Sequence, residues 1–565
     1  MLTTPTAPRT IVTVIVSLVR GWMAGCGGAV LLAAACGRTG LQGPTPGGSD
    51  EFGEASSSPD PSITDTTSPG STSTGEVKCS EQDGTCPIEL RLRRAVDILF
   101  VVDNSGSMGG EQGTLTQSFR SFVDVLEAQQ VGANYRIGVT TTAADGGLAN
   151  TSCRQRLGDF LFEWEHGFID EQQRGCLDHC DYEVLELYQP WVEKSEGVTN
   201  LPDGVDLASA LQCIGPPGIN GPGFEKPLEA MLQVIQNDTT GFLRDDALLA
   251  VIFLTDEADC SSAPEHEFDL QGEVFWSSDH ATSAVCWNAG VECLGGPGVY
   301  DDCVPVDLDF NGLATDDPDA AMLYPLDRYT SALSALSVQR QSAGGNGQVF
   351  LSLIAGVPLD YPATGVELFA DSVFPDFNQE YGIGPACNVG SETIDDPPGI
   401  PDVRLRQVVE SFAGEEPNVY SVCSDDYGVA LEAIAGAIGK ISERSCVGGC
   451  VVDLLPDAGV QPGCRLAEQF PTELGEPDRA VEPCVIEGDT WSFPGPNVHS
   501  CYRVLDDRDQ STAPLVDDMA PHCVTSGFNV ELLVERREGI PVPSGTSIDV
   551  ACDLVAEPGV TCDDV

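Results

Sequence analysis

The chain has 565 residues, with 88 acidic against 27 basic side chains, a net charge of −61, 41% hydrophobic residues and 22 cysteines. The apolar content is sufficient for real cores, and the length allows two to four domains. So negative a chain repels phosphates and anionic head groups, which excludes sequence-independent binding of nucleic acid and makes cations its natural partners.

Near the N-terminus two apolar segments, Ile11–Val19 and Gly21–Ala35, are separated by Arg20. Each is shorter than the roughly 18 to 20 residues of a spanning helix, so residues 1–35 read as a secretory signal ending in a lipoprotein cleavage site. Two cysteines compete for the lipid. Cys36 follows Ala33-Ala34-Ala35 and Cys26 follows Met23-Ala24-Gly25. Cys36 is favoured, because Arg20 then supplies the charged start of the signal and translation would begin at Val19; Cys26 is the alternative. Residues 36–78 are rich in Ser, Thr, Pro and Gly and have no apolar period, as a disordered tether requires. A flexible coil of that length spans roughly 35 Å.

Beyond the two lipid candidates, twenty cysteines run from Cys79 to Cys562 without C-x-x-C spacing. Disulfides formed in an oxidising compartment account for them better than zinc. The group Cys176-Leu-Asp-His179-Cys180 can imitate a metal knuckle, but a stapled loop is the favoured reading.

The patterned region starts with a strand over Ala95–Val102, apolar enough to be covered on both faces. Leu115, Phe119, Phe122, Val123 and Leu126 then recur at helical spacing, and Tyr135–Thr140 reads as a second strand. Further strands are predicted at Leu248–Leu254, Gln348–Ile354 and Asn418–Val422. Helices are predicted near Glu225–Ile235, Arg328–Gln341 and Val403–Phe412 and along the stripe Leu431, Ile434, Ile438, Ile441. This alternation predicts a doubly wound, mostly parallel α/β sheet over residues 79–445. Two long Cys-rich insertions, at about 144–204 and 260–325, interrupt it. After Ser445 frequent Pro, Gly and Cys, with strands at Asn529–Glu535 and Ser547–Cys552, read as a small disulfide-rich β domain over 446–565.

At the carboxyl end of the first strand stands Asp103-Asn104-Ser105-Gly106-Ser107. Ligands of open parallel sheets bind at that edge. One carboxylate and two hydroxyls in a tight loop are hard oxygen donors suited to Mg²⁺ or Ca²⁺. A second carboxylate cluster, Thr255-Asp256-Glu257-Ala258-Asp259, follows the strand ending at Leu254. The D-x-S-x-S loop after an apolar strand, with I-F-L-T-D later, resembles the von Willebrand factor A-type domain and its metal-ion-dependent adhesion site.

The resemblance covers about residues 94–445. It implies Ser105 and Ser107 as direct ligands, Asp103 as a ligand directly or through water, and Asp256 as a partner mostly through water. The cation would be Mg²⁺, with Mn²⁺ or Ca²⁺ as alternatives. Members of the family also supply a Thr from an intermediate loop, and here no Thr lies between Thr199 and Thr239. In the loop Gly218–Glu225, Asn220 or Glu225 is the substitute oxygen donor, or water takes that place. A second candidate loop, for Ca²⁺, is Asp307-Leu-Asp309-Phe-Asn311-Gly312, although Pro318 stands where a bidentate Glu is required and an acidic turn is the favoured reading.

The whole reads as an exported, lipid-anchored module of the outer membrane or cell surface. It would have no enzymatic activity and would hold a protein or cell-surface ligand whose carboxylate completes the metal's coordination. Its contact with the membrane would be through the lipid alone. The alternatives are a structural envelope lipoprotein with a degenerate metal site and, less favoured, a secreted hydrolase; the six histidines form no catalytic signature.

Overall fold

A computed structural model describes the chain from Thr85 to Val555, apart from Arg94, the stretches 129–133, 161–172, 267–271, 277–280, 343–347, 370–376, 388–398, 414–416, 452–462, 471–474 and 509–517, and some stretches of one to three residues. Cys26, Cys36 and the tether lie outside the described residues.

Strand β1 (Thr85–Arg93) leads into β2 (Ala95–Val102), which is buried along its whole length. Such a strand is stable only at the centre of a sheet covered on both faces. It pairs in parallel with β3 (Asn134–Thr141) on one side and β6 (Leu248–Leu254) on the other. The short β4 (Val192–Ser195) and β5 (Val198–Thr199) extend the sheet antiparallel beyond β3. Between β6 and the next sheet strand lies the hairpin β7 (Val291–Gly295) and β8 (Tyr300–Pro305). Then β9 (Val349–Ala355) and β10 (Val419–Ser421) complete the other side in parallel, giving the order β10-β9-β6-β2-β3-β4-β5.

Alternate residues of β2 enter two cores, as the period of a strand dictates. Val96, Ile98, Phe100 and Val102 pack with the helices Gly109–Leu126, Leu207–Ile214 and Gly428–Ile441. Phe100 meets Phe119 and Phe122 edge-on at 5.3 and 5.4 Å. Leu99 and Val101 face the helices Pro227–Gln236, Asp327–Ser342 and Val403–Glu410. The sheet is therefore doubly wound. Asp97, the one charge in this run, is fully buried at the strand's amino end; it accepts from the backbone N–H of Arg244 at 2.6 Å and from its Nε at 2.8 Å, with Arg340 at 3.8 Å.

The second sheet contains β11 (Arg444–Cys446), β12 (Cys464–Gln469), β13 (Arg479–Pro483), β16 (Ser500–Leu505), β17 (Glu531–Arg536) and β18 (Ser547–Val555); β14 (Val485–Glu487) and β15 (Thr490–Ser492) form a separate hairpin. Its seven-stranded order is β1-β18-β12-β13-β16-β17-β11. Thus β1, within the stretch read from sequence as the start of the α/β region, is an edge strand of the terminal sheet, in register from Thr85 opposite Val555 to Arg93 opposite Ser547. The chain leaves this sheet at Arg93, builds the α/β region and returns at Arg444.

Among the described residues the disulfides join Cys153–Cys176, Cys180–Cys213, Cys260–Cys286, Cys293–Cys303, Cys387–Cys423, Cys446–Cys523, Cys464–Cys552 and Cys484–Cys501. Cys176 and Cys180 have different partners, so the loop around His179 is stapled and is no metal knuckle. No helix among the described residues is long and apolar enough to cross a membrane.

Candidate functional site

Because β2, β3 and β6 run parallel as neighbours, their carboxyl ends fall on one edge of the sheet. Asp103 follows β2, Thr142 follows β3, and Thr255, Asp256 and Glu257 follow β6. Asp103 is fully buried, and its N–H still donates across the sheet to Leu254 O at 2.9 Å. Its Oδ1 accepts from the Ser105 N–H at 2.7 Å and its Oδ2 from the Thr255 hydroxyl at 2.6 Å. Those two bonds turn the chain sharply and bring the Ser105 and Ser107 hydroxyls within 3.2 Å of each other. Each carboxylate oxygen has acceptor capacity left.

The loop 215–225 closes over this edge. Gln112, from the helix Gly109–Leu126, donates to Asp103 O at 2.9 Å and to Gly218 O at 2.7 Å, and accepts from Gly218 N–H at 3.1 Å. Gly221 N–H donates to Asn104 O at 2.8 Å, in a contact so close that a Cβ on Gly221 would lie 2.5 Å from the Asn104 side chain. Both insertions brace the loop: Asp159 O accepts from Ile219 N–H at 2.7 Å, and Ser283 donates to Gly223 O at 3.3 Å. At the loop's end Glu225 is clamped by backbone bonds on either side, Lys226 N–H to Thr142 O at 3.0 Å and Cys260 N–H to Glu225 O at 2.7 Å.

That clamp sends Glu225 inward. It is fully buried, one carboxyl oxygen accepts from the Thr142 hydroxyl, and the other, Oε1, is buried without a hydrogen-bond partner. Asn220, the other substitute donor named from sequence, is exposed. Two further buried carboxyl oxygens are likewise unpartnered, Oδ1 of Asp256 and Oε2 of Glu111. Glu111 comes from the first turn of the helix that follows the Asp103 loop.

The electrostatics of these groups are of one sign. Burial, and then the charge of Asp103, push the Asp256 carboxyl up to about 7, against a hydrogen bond from Ser107. Burial raises Asp103 too, opposed by its bonds from Thr255 and Ser105. Burial pushes Glu225 well up, helped by Asp103 and Glu257; Glu257 and Glu111 are raised by burial and by Asp256 and Asp103. The strongest charges acting on Glu111, Glu225, Asp256 and Glu257 are those of neighbouring carboxylates. Unpaired buried carboxylates are costly, and a bound cation removes that cost.

The hydroxyls of Ser105 and Ser107 and the carboxyl oxygens of Asp103, Asp256 and Glu225 are hard donors of the kind that suits Mg²⁺, Mn²⁺ or Ca²⁺. Among the described residues no group of three or more His, Cys, Asp and Glu side chains is arranged to hold a metal ion. The fit therefore includes Ser105 and Ser107.

Sequence reasoning placed Asp103, Ser105, Ser107 and Asp256 at this edge, and the structure brings them together with Glu225. It missed Thr142, Gln112 and Glu111. The run Thr140-Thr141-Thr142 ending the second strand was the available signal for the first; nothing in the local pattern marks the other two. The second metal candidate is a self-contained turn. Asp309 Oδ1 accepts from Asn311 N–H at 2.8 Å and Leu313 N–H at 3.0 Å, while Asp307 O accepts from Thr315 N–H at 2.9 Å.

No family model and no curated protein matches the chain. Among solved structures, two crystal structures of the pilus adhesin SpaC from Lactobacillus rhamnosus GG, one in the open conformation, are similar over 84% of this chain. The identities are 10% and 11% and the TM-scores 0.25 and 0.24. The chain spans 41% and 42% of those adhesins, less than half of their length.

Proposed function

We propose that this protein is a cation-dependent binding module of the von Willebrand factor A-type, exported and held at the cell surface by a lipid on Cys36 or, alternatively, Cys26. The observation that carries the reading is the cluster of unpartnered buried carboxyl oxygens of Glu111, Glu225 and Asp256 around the Asp103-x-Ser105-x-Ser107 loop. A buried cluster of carboxyls that raise one another is stabilised when a cation enters. Ser105, Ser107, Asp103, Asp256 and Glu225 would hold it. When bound, the ion would offer open coordination positions at which a partner's oxygen docks.

The chain's own residues prepare that point. Thr255 and the Ser105 N–H fix the Asp103 carboxylate, and Gln112 ties the Asp103 loop to the loop that carries Glu225. The disulfides support export, because such bonds persist in oxidising compartments.

Calorimetric titration of the full chain with Mg²⁺, Mn²⁺ and Ca²⁺ tests the reading, alongside Ser105→Ala. Saturable binding by the wild type that the variant loses is the expected result; a wild type that binds none of the three ions refutes it. A second reading, in which the ion only orders the fold, is favoured by the same unpaired oxygens. It is separated from the first by whether chelator abolishes binding to cell surfaces at temperatures where the metal-free protein stays folded.

A further inference from the structure

Resting on that reading, the surroundings of Glu225 say what kind of oxygen the partner offers. In the family this chain resembles, the partner's carboxylate completes the coordination. Here a carboxylate is already present within the chain. Glu225 occupies the loop from which a neutral Thr is expected; of the Thr residues at the site, Thr255 donates its hydroxyl to Asp103 and Thr142 spends its own on holding Glu225. The main-chain clamp through Lys226 and Cys260 leaves the side chain beside Asp103 and Glu257, with Oε1 buried and unpartnered.

We infer that Glu225 supplies from within the chain the carboxylate that a partner would otherwise bring, so that the remaining positions on the cation accept an uncharged oxygen, an amide carbonyl or a hydroxyl. The charges decide it. Asp103, Asp256 and Glu225 place three negative charges about a dication, which leaves the centre with one net negative charge whether each oxygen touches the ion or reaches it through water. Glu111 and Glu257 add to that field, and the chain as a whole carries −61. A further carboxylate would enter a desolvated centre of its own sign, where like charges repel most strongly. An uncharged oxygen meets the ion without that repulsion. A centre rich in its own carboxylates also binds the cation more tightly, since ligand charge count sets the dissociation constant.

The test is cation titration of the full chain by calorimetry, in chloride, acetate and acetamide at constant ionic strength. Acetate and acetamide have the same shape and differ in charge. Variants Glu225→Gln, which keeps the shape and removes the charge, and Glu225→Thr, which restores the family's residue, are measured beside the wild type. Acetate is expected to leave the wild-type affinity for Mg²⁺ and Ca²⁺ unchanged or lower it, and acetamide not to lower it. Glu225→Gln should bind either cation about tenfold or more weakly, and Glu225→Thr should gain an affinity that rises with acetate. Thermal melting in chelator keeps the variants interpretable, because removing a buried unpaired carboxylate should raise the metal-free melting temperature.

If Glu225→Gln binds the cations as tightly as the wild type, or if acetate strengthens wild-type binding, the inference is overturned while the metal site stands. If the wild type binds no cation, both fall. Binding lost in Ser105→Ala but unaltered in Glu225→Gln overturns this inference alone.

Discussion

The clearest consequence of the carboxylate cluster is a stability change that reverses sign with metal, and Asp256→Asn isolates it. In the folded, metal-free protein Asp256 is raised from its ordinary 3.8 to about 7, chiefly by burial and then by Asp103. The folded state thus keeps this proton to higher pH than the unfolded chain does. Stability is fully present below about pH 4 and is lost as pH rises towards 7; at about 1.4 kcal/mol for each pH unit of that window, the loss reaches about 4 kcal/mol. Glu111, Glu225 and Glu257 share the same field, so one substitution recovers about 2 to 4 kcal/mol. At about 2 °C per kcal/mol in a region this large, the melting temperature in chelator at pH 8 should rise by roughly 4 to 8 °C, and the gain should fade towards pH 5. With saturating Mg²⁺ or Ca²⁺ the order inverts, because the wild type then gains binding free energy that the variant lacks. Differential scanning calorimetry from pH 5 to 8, with and without cation, reads both effects. Asp402, also raised to about 7 by burial and by Asp259, is common to both proteins and drops out of the difference. A variant less stable than the wild type in chelator at pH 8, or a difference independent of pH, would refute the reasoning.

Other outcomes follow from the same geometry. Asp97→Ala leaves Arg244 and Arg340 without their buried partner and should cost about 3 to 5 kcal/mol in denaturant unfolding; cation affinity should be unchanged, because Asp97 lies at the opposite end of β2 from Asp103. Gly218→Ala meets both a φ of +107° and the Asp159 carbonyl at 2.6 Å, so it should destabilise by about 1 to 3 kcal/mol and weaken cation binding through the Gln112 bridge. Ser105→Ala should lower cation affinity without altering the melting temperature in chelator. Non-reducing peptide mapping should recover Cys153 with Cys176 and Cys180 with Cys213; a Cys176–Cys180 peptide would contradict the stapling of the first insertion.

Where the sequence was legible, the reason is burial on two faces. Leu248–Leu254 has no polar residue, and a run of that length between helical patterns fits a central parallel strand; the structure has it at the predicted limits. The strand at Ala95–Val102 reads equally well despite Asp97, whose charge is answered by Arg244, far away in sequence and invisible to any local pattern. The D-x-S-x-S loop is local, so its residues could be named in advance. Glu225 could be named only as one of two substitutes, because which of Asn220 and Glu225 turns inward is decided by backbone bonds to Thr142 and from Cys260, in the segments that follow two other strands. Glu111 belongs to a helix whose apolar stripe announces the core and says nothing of the edge where its first turn lands. Strand β1 escaped because proximity in sequence to β2 outweighed a partner at the far end of the chain.

That pairing sets an order of events during biogenesis. Strand β1 emerges first among the described elements and β18 last, yet they lie side by side. The α/β region has its own local alternation and can collapse while synthesis or export continues, whereas the edge strand waits for a partner delivered at the end. Closing so long a loop is slow unless the intervening chain is already compact. The inserted region, once folded, brings its two ends back to one platform and converts a distant search into a short one. Truncation near the C-terminus should therefore damage the N-terminal strand first, leaving an unpaired β edge open to aggregation.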